Sequence, residues 1–365
     1  MLFDIYNIAL TCIPGVGSVN ARSLLSYCGS AEEVFKAKNK QLKAIPGIGQ
    51  KTIESILSHS AFKRAEQELK FIEKYKIKPI FFTNNDYPKR LKNCFDAPIM
   101  LYFKGNADLN NNKVISVVGT RNATDYGKEI CKELIADLQI HDPLVISGLA
   151  YGIDSLSHKE CLKNNISTVG VLAHGLDRIY PAQHRNLAEK MLENGGLLTE
   201  FLSETKPDRE NFPKRNRIIA GLADVTIVVE ATIKGGALIT AEIANSYNRD
   251  VFAYPGRIND EYSSGCNYLI KTNRANLISK VADLEYILGW SETKSKKTKP
   301  QLSLLLNLNP DEQNIADILV EKDTVAVDDL ALLCKIPQSK LAVTILGMEM
   351  QGIIIALPGK RYKLA

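Results

Sequence analysis

The residues best suited to chemistry in this sequence lie in four short segments that combine glycine with hydroxyl and basic side chains. They are "GTR" (119–121), "SGLAYGID" (147–154), "NFPKRNRIIAGLAD" (211–224) and "KGGALITAEIA" (234–244). Glycine allows a phosphate to approach the main chain, arginine offers planar bidentate donors, and a following helix contributes free N–H groups. Together the four segments predict an anion-binding site.

The segment "FPKRNR" adds an aromatic ring to the cations. Lys214, Arg215 and Arg217 place three cations in four residues, next to Phe212. If a helix starts near Pro213, Lys214 and Arg217 share one of its faces at i, i+3 spacing. An aromatic ring beside cations is suited to stacking on an unpaired base.

Structural roles compete with binding for the two arginines of this segment. Arg215 and Arg217 could instead form ion pairs with Glu230 or Asp224. Three cations so close in sequence nevertheless favour a polyanionic ligand over isolated ion pairs.

The second glycine-rich segment also has a simpler interpretation. Ser147, Gly148 and Gly152 could serve only to form a tight turn between a strand and a helix. Asp154 and His158, at i, i+4 spacing, could form an acid–base pair, but a helix-capping aspartate and a structural histidine are the favoured interpretation.

Two enzyme classes can be compared with these segments. A nicotinamide dehydrogenase needs GxGxxG after its first strand, whereas the corresponding turns read "GTRNAT" and "SGLAYG". A nucleotide-processing hydrolase resembling the cytokinin-activating LOG enzymes needs PGGxGTxxE, of which "KGGALITAE" keeps Gly235, Gly236 and Glu242. The hydrolase stays open as the alternative function, and the incomplete motif favours a protein without catalytic activity.

The elements that must position these segments alternate between residues 113 and 289. Seven short apolar runs are separated by stretches of helix length. Their bounds are 114–119, 143–148, 167–175, 196–200, 225–231, 250–256 and 276–280. Because the runs are continuously apolar, they predict strands covered on both faces, and therefore a doubly wound, parallel, extended Rossmann-like α/β sheet. The segment 79–112 is expected to add edge elements.

The first 78 residues predict a helical domain that contains an internal repeat. "IPGVG" at 13–17 and "IPGIG" at 45–49 each precede a helix-like stretch. Such helix–hairpin–helix units can bring backbone N–H groups to a DNA phosphate. The glycines could equally serve only as tight turns between helices, and both interpretations stay open.

The C-terminal part of the sequence predicts a linker and a small domain. Residues 290–306 hold four lysines against one glutamate, as expected of a solvated linker. Residues 307–365 predict three helices and a hairpin, the order of a winged helix. This tail has eight acidic residues against six basic, a net charge of −2, whereas a DNA-reading helix needs the opposite sign. A winged helix acting as an adaptor through protein contacts is therefore a third possibility.

Composition limits the remaining classes. With 45% apolar and 24% charged residues the chain is expected to fold, and its net charge of +5 mildly favours a polyanionic partner. No apolar stretch reaches the ~18 residues of a membrane span and no basic leader is apparent, so we expect a cytoplasmic protein without membrane contact. Seven scattered cysteines and five scattered histidines predict buried thiols, without a disulfide framework, metal site or cofactor.

Seven ordered motifs resemble one family over essentially the whole chain, the DNA-processing protein A family (DprA, also called Smf). The motifs are "VVGTRNATDYG", "SGLAYGIDSLSH", "GLDRIYPAQHRNLAE", "NFPKRNRIIAGLADVTIVVEA", "LITAEIA", "RDVFAYPG" and "SGCNYLIK". The resemblance implies a helical N-terminal domain, a Rossmann-like domain that binds single-stranded DNA and a C-terminal winged helix. It also implies a homodimer that protects incoming single strands and loads the recombinase RecA during natural transformation.

The resemblance also assigns DNA contacts to positions of this sequence. They are Gly119, Thr120, Arg121, Ser147, Gly148, Phe212, Lys214, Arg215, Asn216, Arg217, Gly235 and Gly236. Arg121 is then expected to bind a phosphate of a single strand, together with Lys214. One departure concerns Gly235, Gly236 and Ala237, where the family usually has Ser-Gly-Ser. Contacts there must come from backbone N–H groups.

Overall fold

The structure, a computed structural model, describes residues 5–290, 308–322, 324–357 and 360–364. The chain forms two compact units, Met1–Leu277 and Ile278–Ala365. The predicted linker 290–306 lies outside the described residues except for Trp290. The domain bounds of the sequence analysis stay a prediction.

The N-terminal region is helical, as predicted. Its helices are α1 (Ile5–Thr11), α2 (Ser18–Cys28), α3 (Ala31–Lys36), α4 (Asn39–Lys43), α5 (Gln50–Leu57) and α6 (Ala61–Tyr75). The two repeats form similar turns, in which Gly15 and Gly47 adopt φ values of 81° and 80°. Only glycine adopts these angles without steric cost, so both glycines are needed for the turns themselves.

A nine-stranded sheet forms the centre of the first unit. Its strands are β1 (Lys78–Phe81), β2 (Met100–Gly105), β3 (Val114–Val118), β4 (Leu144–Ser147), β5 (Thr168–Val171), β6 (Gly195–Thr199), β7 (Val225–Val228), β8 (Asp250–Ala253) and β9 (Asn276–Leu277). They lie in the order β1-β2-β6-β5-β4-β3-β7-β8-β9. All seven predicted strands are present, and all five residues of β3 are buried, as expected of a strand covered on both faces.

The segment 79–112 extends the sheet at one edge, as expected, and it does so with antiparallel strands. β1 pairs antiparallel with β2, and β2 pairs antiparallel with β6. The strands from β3 to β9 pair in parallel. The sheet is therefore mixed, with two antiparallel strands at one edge of an otherwise parallel sheet.

Seven helices accompany the sheet in the first unit. They are α7 (Lys89–Lys92), α8 (Asp125–Leu138), α9 (Ile153–Lys163), α10 (Arg185–Met191), α11 (Asn211–Leu222), α12 (Gly236–Ser246) and α13 (Ser264–Lys271). α8 follows β3, α9 follows β4 and α12 follows β7. This alternation brings the loops of the predicted anion site to the carboxyl ends of parallel strands.

The helical region packs against the edge strands. Its apolar residues form one buried cluster with Phe81, Met100 and Tyr102. Polar contacts add to this packing, since Arg22 donates to the Cys94 and Phe95 carbonyls. The helical region and the sheet are therefore parts of one compact unit.

The second unit contains α14 (Val281–Leu288), α15 (Pro310–Lys322), α16 (Val327–Cys334) and α17 (Gln338–Met350). A three-stranded sheet accompanies them, formed by β10 (Val325–Ala326), β11 (Ile354–Leu357) and β12 (Arg361–Leu364) in the order β10-β12-β11. The three helices and hairpin predicted for the tail are confirmed, and β10 is an additional short strand. Leu330, Leu341 and Ile345 lie in the buried core of the second unit.

Candidate nucleic-acid interface

The candidate site lies where the strand order of the sheet reverses. The chain runs outward from β3 through β4 and β5 to β6, and it then returns to β7 on the other side of β3. Ligands of open parallel sheets bind outside the carboxyl ends of the strands at such a reversal. A cleft of about 760 Å³ lies there and is lined by eight of the predicted residues. They are Gly119, Thr120, Arg121, Phe212, Arg215, Asn216, Gly235 and Gly236.

The turn after β3 is fixed by close backbone packing. Thr120 donates its N–H to the Glu230 carbonyl at 2.7 Å, and its own carbonyl accepts from the Ile153 N–H at 3.2 Å. Gly152, with φ of 77°, lies so close that a Cβ there would be 2.2 Å from the Thr120 carbonyl oxygen. The main chain of this turn is therefore held rigidly, while the Arg121 side chain is exposed.

Arg121 and Phe212 meet at the wall of the cleft. The guanidinium carbon of Arg121 lies 5.6 Å from the centroid of the Phe212 ring. The ring of Tyr180, which is 48% exposed, lies 6.2 Å from the Phe212 ring. Within the described parts of the chain Arg121 has no acidic partner. A free cation beside two aromatic rings offers both a phosphate ligand and a stacking surface.

Arg215 occupies a different environment from its neighbours in sequence. It is 5% exposed and donates to the carbonyls of Gly148 and Val171. Burial lowers the pKa of Arg215 to about 10, and nearby Asp154 counteracts this effect. The guanidinium carbon lies 6.0 Å from the Phe212 ring centroid. Arg215 thus supports the ring and links α11 to the carboxyl ends of β4 and β5 from inside the protein.

The ion pairs proposed from sequence for the two arginines were wrong in their partners. Asp224 pairs with Arg90 at 2.5 Å, and the Glu230 carboxylate accepts from Thr124. Arg217 pairs with Glu200 instead and donates to the Asp96 carbonyl. Pairing partners depend on which strands and loops become neighbours, which sequence spacing alone does not specify.

Lys214 is the exposed cation of α11. It does not line the cleft itself. Burial raises the pKa of the Glu200 carboxyl, and Arg217 and, more weakly, Lys214 counteract this effect. Successive residues of a helix point about 100° apart. Lys214, Arg215 and Arg217 therefore enter three different environments.

Ser147 and Gly148 are already engaged inside the protein. Ser147 is fully buried, and its hydroxyl donates to the Val117 carbonyl at 2.6 Å. The Gly148 N–H donates to Asp154 Oδ2 at 3.1 Å. A Cβ at Gly148 would lie 2.3 Å from Arg215 Nη1. The simpler interpretation given from sequence, a tight turn between a strand and a helix, accounts for both residues.

Asp154 and His158 do not form an acid–base pair. His158 is fully buried, its Nδ1 lies 2.6 Å from Thr168 Oγ1, and burial lowers its pKa to about 3. Burial raises the pKa of Asp154, while Arg215 and two backbone N–H groups counteract this effect. His158 therefore has the structural role expected of it. Asp154 does not cap α9, whose N-cap is Gly152 without a side-chain hydrogen bond, and it instead accepts from the Gly148 N–H.

Gly235 and Gly236 form the start of α12 at the cleft. No heavy atom lies within 4 Å of a Cβ built on Gly236, so the approach to its main chain is open. Glu242 lies outside the cleft, in a neighbouring groove, where it pairs with Arg274 at 2.5 Å. Gly235 lines both surfaces, whereas Gly236 lines only the cleft and the ion-paired Glu242 only the groove, an arrangement that does not favour the alternative hydrolase.

Sequence reasoning missed several residues of the cleft. Asn122, Arg209 and Tyr262 line it, and Tyr180 contacts Phe212 at its wall. Arg209 carried a signal, because it lies just before the cationic segment. Tyr262 carried no such signal in the sequence, because it reaches the cleft from the distant connection after β8.

The thiol and metal chemistry of the chain is simple. All seven cysteines are free, and five of them are buried. In the part of the chain that the structure describes, no group of three or more His, Cys, Asp or Glu side chains could hold a metal ion.

No single described helix is long and apolar enough to span a membrane. The bent pair formed by α16 and α17 passes that test only when the two are taken together.

The fold defines a class: a Rossmann-like α/β protein that also carries tandem helix–hairpin–helix and winged-helix elements. Residues 78–288 match the DNA recombination-mediator protein A family. Residues 8–60 match the SAM-like helix–hairpin–helix tandem, and residues 298–360 match the DprA winged helix. The chain belongs to the DprA/Smf family of DNA recombination mediators.

Individual relatives agree with this assignment. Protein Smf of Synechocystis is 32% identical, with 98% of each chain covered. DNA processing protein DprA of Bacillus subtilis is 41% identical over 53% of this chain and 66% of its own. The solved structure of DprA from Streptococcus pneumoniae has a TM-score of 0.68 at 30% identity, covering 78% of this chain and 98% of that one. A Helicobacter pylori DprA structure, described for its single-stranded DNA binding mode, has a TM-score of 0.54 at 27% identity, covering 59% and 97%.

Proposed function

We propose that the cleft binds single-stranded DNA and that the protein protects incoming strands and loads RecA onto them during natural transformation. The observation that carries the proposal is the meeting of Arg121 and Phe212 at the strand-order reversal. A phosphate ligand beside an aromatic face suits an unpaired strand, whose bases are free to stack. The single-stranded DNA binding described for the H. pylori relative supports it.

The proposed residues fall into two groups. Those with an accessible main chain or a side chain that is at least partly exposed are assigned to direct contact: Thr120, Arg121, Phe212, Lys214, Asn216, Gly235 and Gly236. Those packed against or engaged inside the protein are assigned to shaping the cleft: Gly119, Ser147, Gly148, Arg215 and Arg217. We further propose that the protein acts in the cytoplasm as a homodimer formed through the Rossmann-like region, without a cofactor and without catalytic activity.

A salt titration tests the binding step. Labelled oligo-dT and a duplex of equal length are compared by fluorescence anisotropy at several salt concentrations. Each phosphate contact on a single strand is expected to contribute about −0.7 to the slope of log K against log salt. Equal affinity for both DNAs, without salt dependence, would refute the proposal.

A second assay tests the mediator step separately. RecA nucleates slowly on single strands coated with single-strand-binding protein, and its ATP hydrolysis reports the filament formed. We expect the wild type to shorten the lag before hydrolysis, and Arg121→Ala to lose this effect in proportion to its DNA affinity. An unchanged lag with intact DNA binding would overturn RecA loading and leave the binding proposal in place.

A further inference from the structure

A second concave surface lies beside the cleft, between α9 and α10. This groove has a volume of about 620 Å³, and three lysines line it together with Gln183 and His184. The lysines are Lys159, Lys163 and Lys190, and all three are exposed. No acidic residue is among its lining residues. We call this surface the lysine groove.

The lysines of the groove are largely free of acidic partners. Lys163 lies 3.4 Å from Glu160 and remains 74% exposed. In the described parts of the chain, Lys159 and Lys190 form no ion pair. Two unpaired lysines and a third with one acidic partner produce a local positive potential on this concave surface, and concave walls concentrate it.

Two aromatic residues connect the cleft with the lysine groove. Tyr151 follows Ala150, which lines the cleft, and its hydroxyl donates to Gln183 Oε1 at 2.7 Å. The Tyr151 ring also lies 5.0 Å from the ring of His184. Tyr180, three residues before Gln183, contacts Phe212 on the side of the cleft. Tyr151 and Tyr180 are 43% and 48% exposed.

We propose that a bound single strand leaves the cleft, passes over Tyr180 and Tyr151, and places its next phosphates in the lysine groove. This inference rests on the proposed function of the cleft and extends it by a strand path. Alternating aromatic and cationic surfaces are what unpaired nucleic acid requires, because bases stack while phosphates pair with cations. A duplex, whose bases are already stacked, gains nothing from the two tyrosines.

The test is a length series of oligo-dT from about 4 to 16 nucleotides, the range of site sizes known for single-strand binding folds. The double variant Lys159→Ala/Lys190→Ala is compared with wild type and with the control Lys70→Ala/Lys132→Ala. The control removes the same charge from exposed positions on α6 and α8. All four lysines are exposed, so both variants are expected to fold.

We expect the groove variant to match wild type on the shortest oligomers. On the longest it should bind about tenfold more weakly, as expected for two exposed charge contacts. Its salt slope should be lower by about 1.4, equivalent to two phosphates. The variant Lys159→Arg/Lys190→Arg should restore both the affinity and the salt slope of the wild type. Tyr151→Ala should weaken the binding of long oligomers with little change in the salt slope.

Two results would overturn the strand path. One is a groove variant that binds long oligomers like wild type. The other is an equal loss at every length that the control shares, which would indicate only a general effect of net charge. Failure of the cleft itself is distinguishable, because Arg121→Ala would then bind normally at all lengths. If the groove binds an acidic protein instead, DNA affinity is unchanged and the path is refuted.

Discussion

Replacing Gly148 with alanine should destabilise the fold rather than remove a DNA contact. The added Cβ would lie 2.3 Å from Arg215 Nη1 and 2.7 Å from Asp154 Oδ2. Both side chains are buried, at 5% and 7% exposure. Neither can move into solvent without losing hydrogen bonds, so the guanidinium has to shift within a packed interior.

The expected cost follows from these contacts. Overpacking at such a site costs about 2 kcal/mol, and weakening one of the charge-assisted hydrogen bonds of Arg215 adds roughly 1 kcal/mol. We therefore expect Gly148→Ala to lose about 3 kcal/mol of unfolding free energy. At ~2 °C per kcal/mol, a value suited to large domains, the Tm falls by about 6 °C.

Gly236→Ala is the matched control for this measurement. It makes the same change at the start of α12, where no heavy atom lies within 4 Å of the new Cβ. Its Tm should stay within about 1 °C of wild type. Thermal denaturation of both variants is followed by circular dichroism, and oligo-dT affinity is measured well below either transition. A Gly148→Ala variant with unchanged Tm and reduced DNA affinity would refute the reasoning and assign Gly148 to direct phosphate contact.

Three further predictions concern single residues. Arg121→Ala should lower single-strand affinity by about 1–3 kcal/mol and flatten the salt slope by ~0.7 with the Tm unchanged, while Lys132→Ala should change neither affinity nor Tm; a sharp fall in Tm would contradict the assigned role. Phe212→Ala should weaken oligo-dT binding by about 1–3 kcal/mol without altering the slope, and a flattened slope would argue against stacking. His158, whose pKa falls from 6.5 to about 3 on folding, should make the fold less stable as pH drops from 6.5 towards 3, because only the unfolded chain is protonated there. Denaturant unfolding at several pH values should show a loss of unfolding free energy that approaches ~1.4 kcal/mol per pH unit. His158→Gln, which can still form a hydrogen bond with Thr168, should remove this pH dependence. A variant with the same pH profile as wild type would refute the assignment to His158.

The sequence predicted the parallel part of the sheet and the position of the site because both follow from local patterns. Continuous apolar runs such as 225–231 identify buried strands without knowledge of their neighbours. Once the strands are parallel, their following loops must meet at one edge, so Arg121 and Gly236 could be placed in one cleft from topology. The antiparallel direction of β1 and β2 was not predicted, because the sequence of the segment that connects them is compatible with either strand direction.

The roles of individual side chains within the site were beyond this reasoning. Lys214, Arg215 and Arg217 look alike in sequence, yet one is exposed, one is buried and one is ion-paired. Their environments depend on the rotation of α11 against the strand ends to a fraction of a helical turn. Tyr151 and Tyr180 lie within the family motifs, but the sequence assigned them no role, because the function of an exposed aromatic residue depends on its neighbours in space.

The packing around the glycines of the site supports our proposal that this fold accepts a single strand rather than a dinucleotide. In a dinucleotide site, glycines keep the first turn open so that a pyrophosphate can reach the backbone. Here protein atoms occupy the space beside both glycines. A Cβ on Gly119 would lie 2.5 Å from Ile153, and a Cβ on Gly152 would lie 2.2 Å from Thr120. The space for a buried pyrophosphate is therefore taken up by the packing of two loops. What remains accessible is the exposed Arg121 beside Phe212. We propose that this surface binds one phosphate and one base face at a time, which would select a flexible chain that can present both.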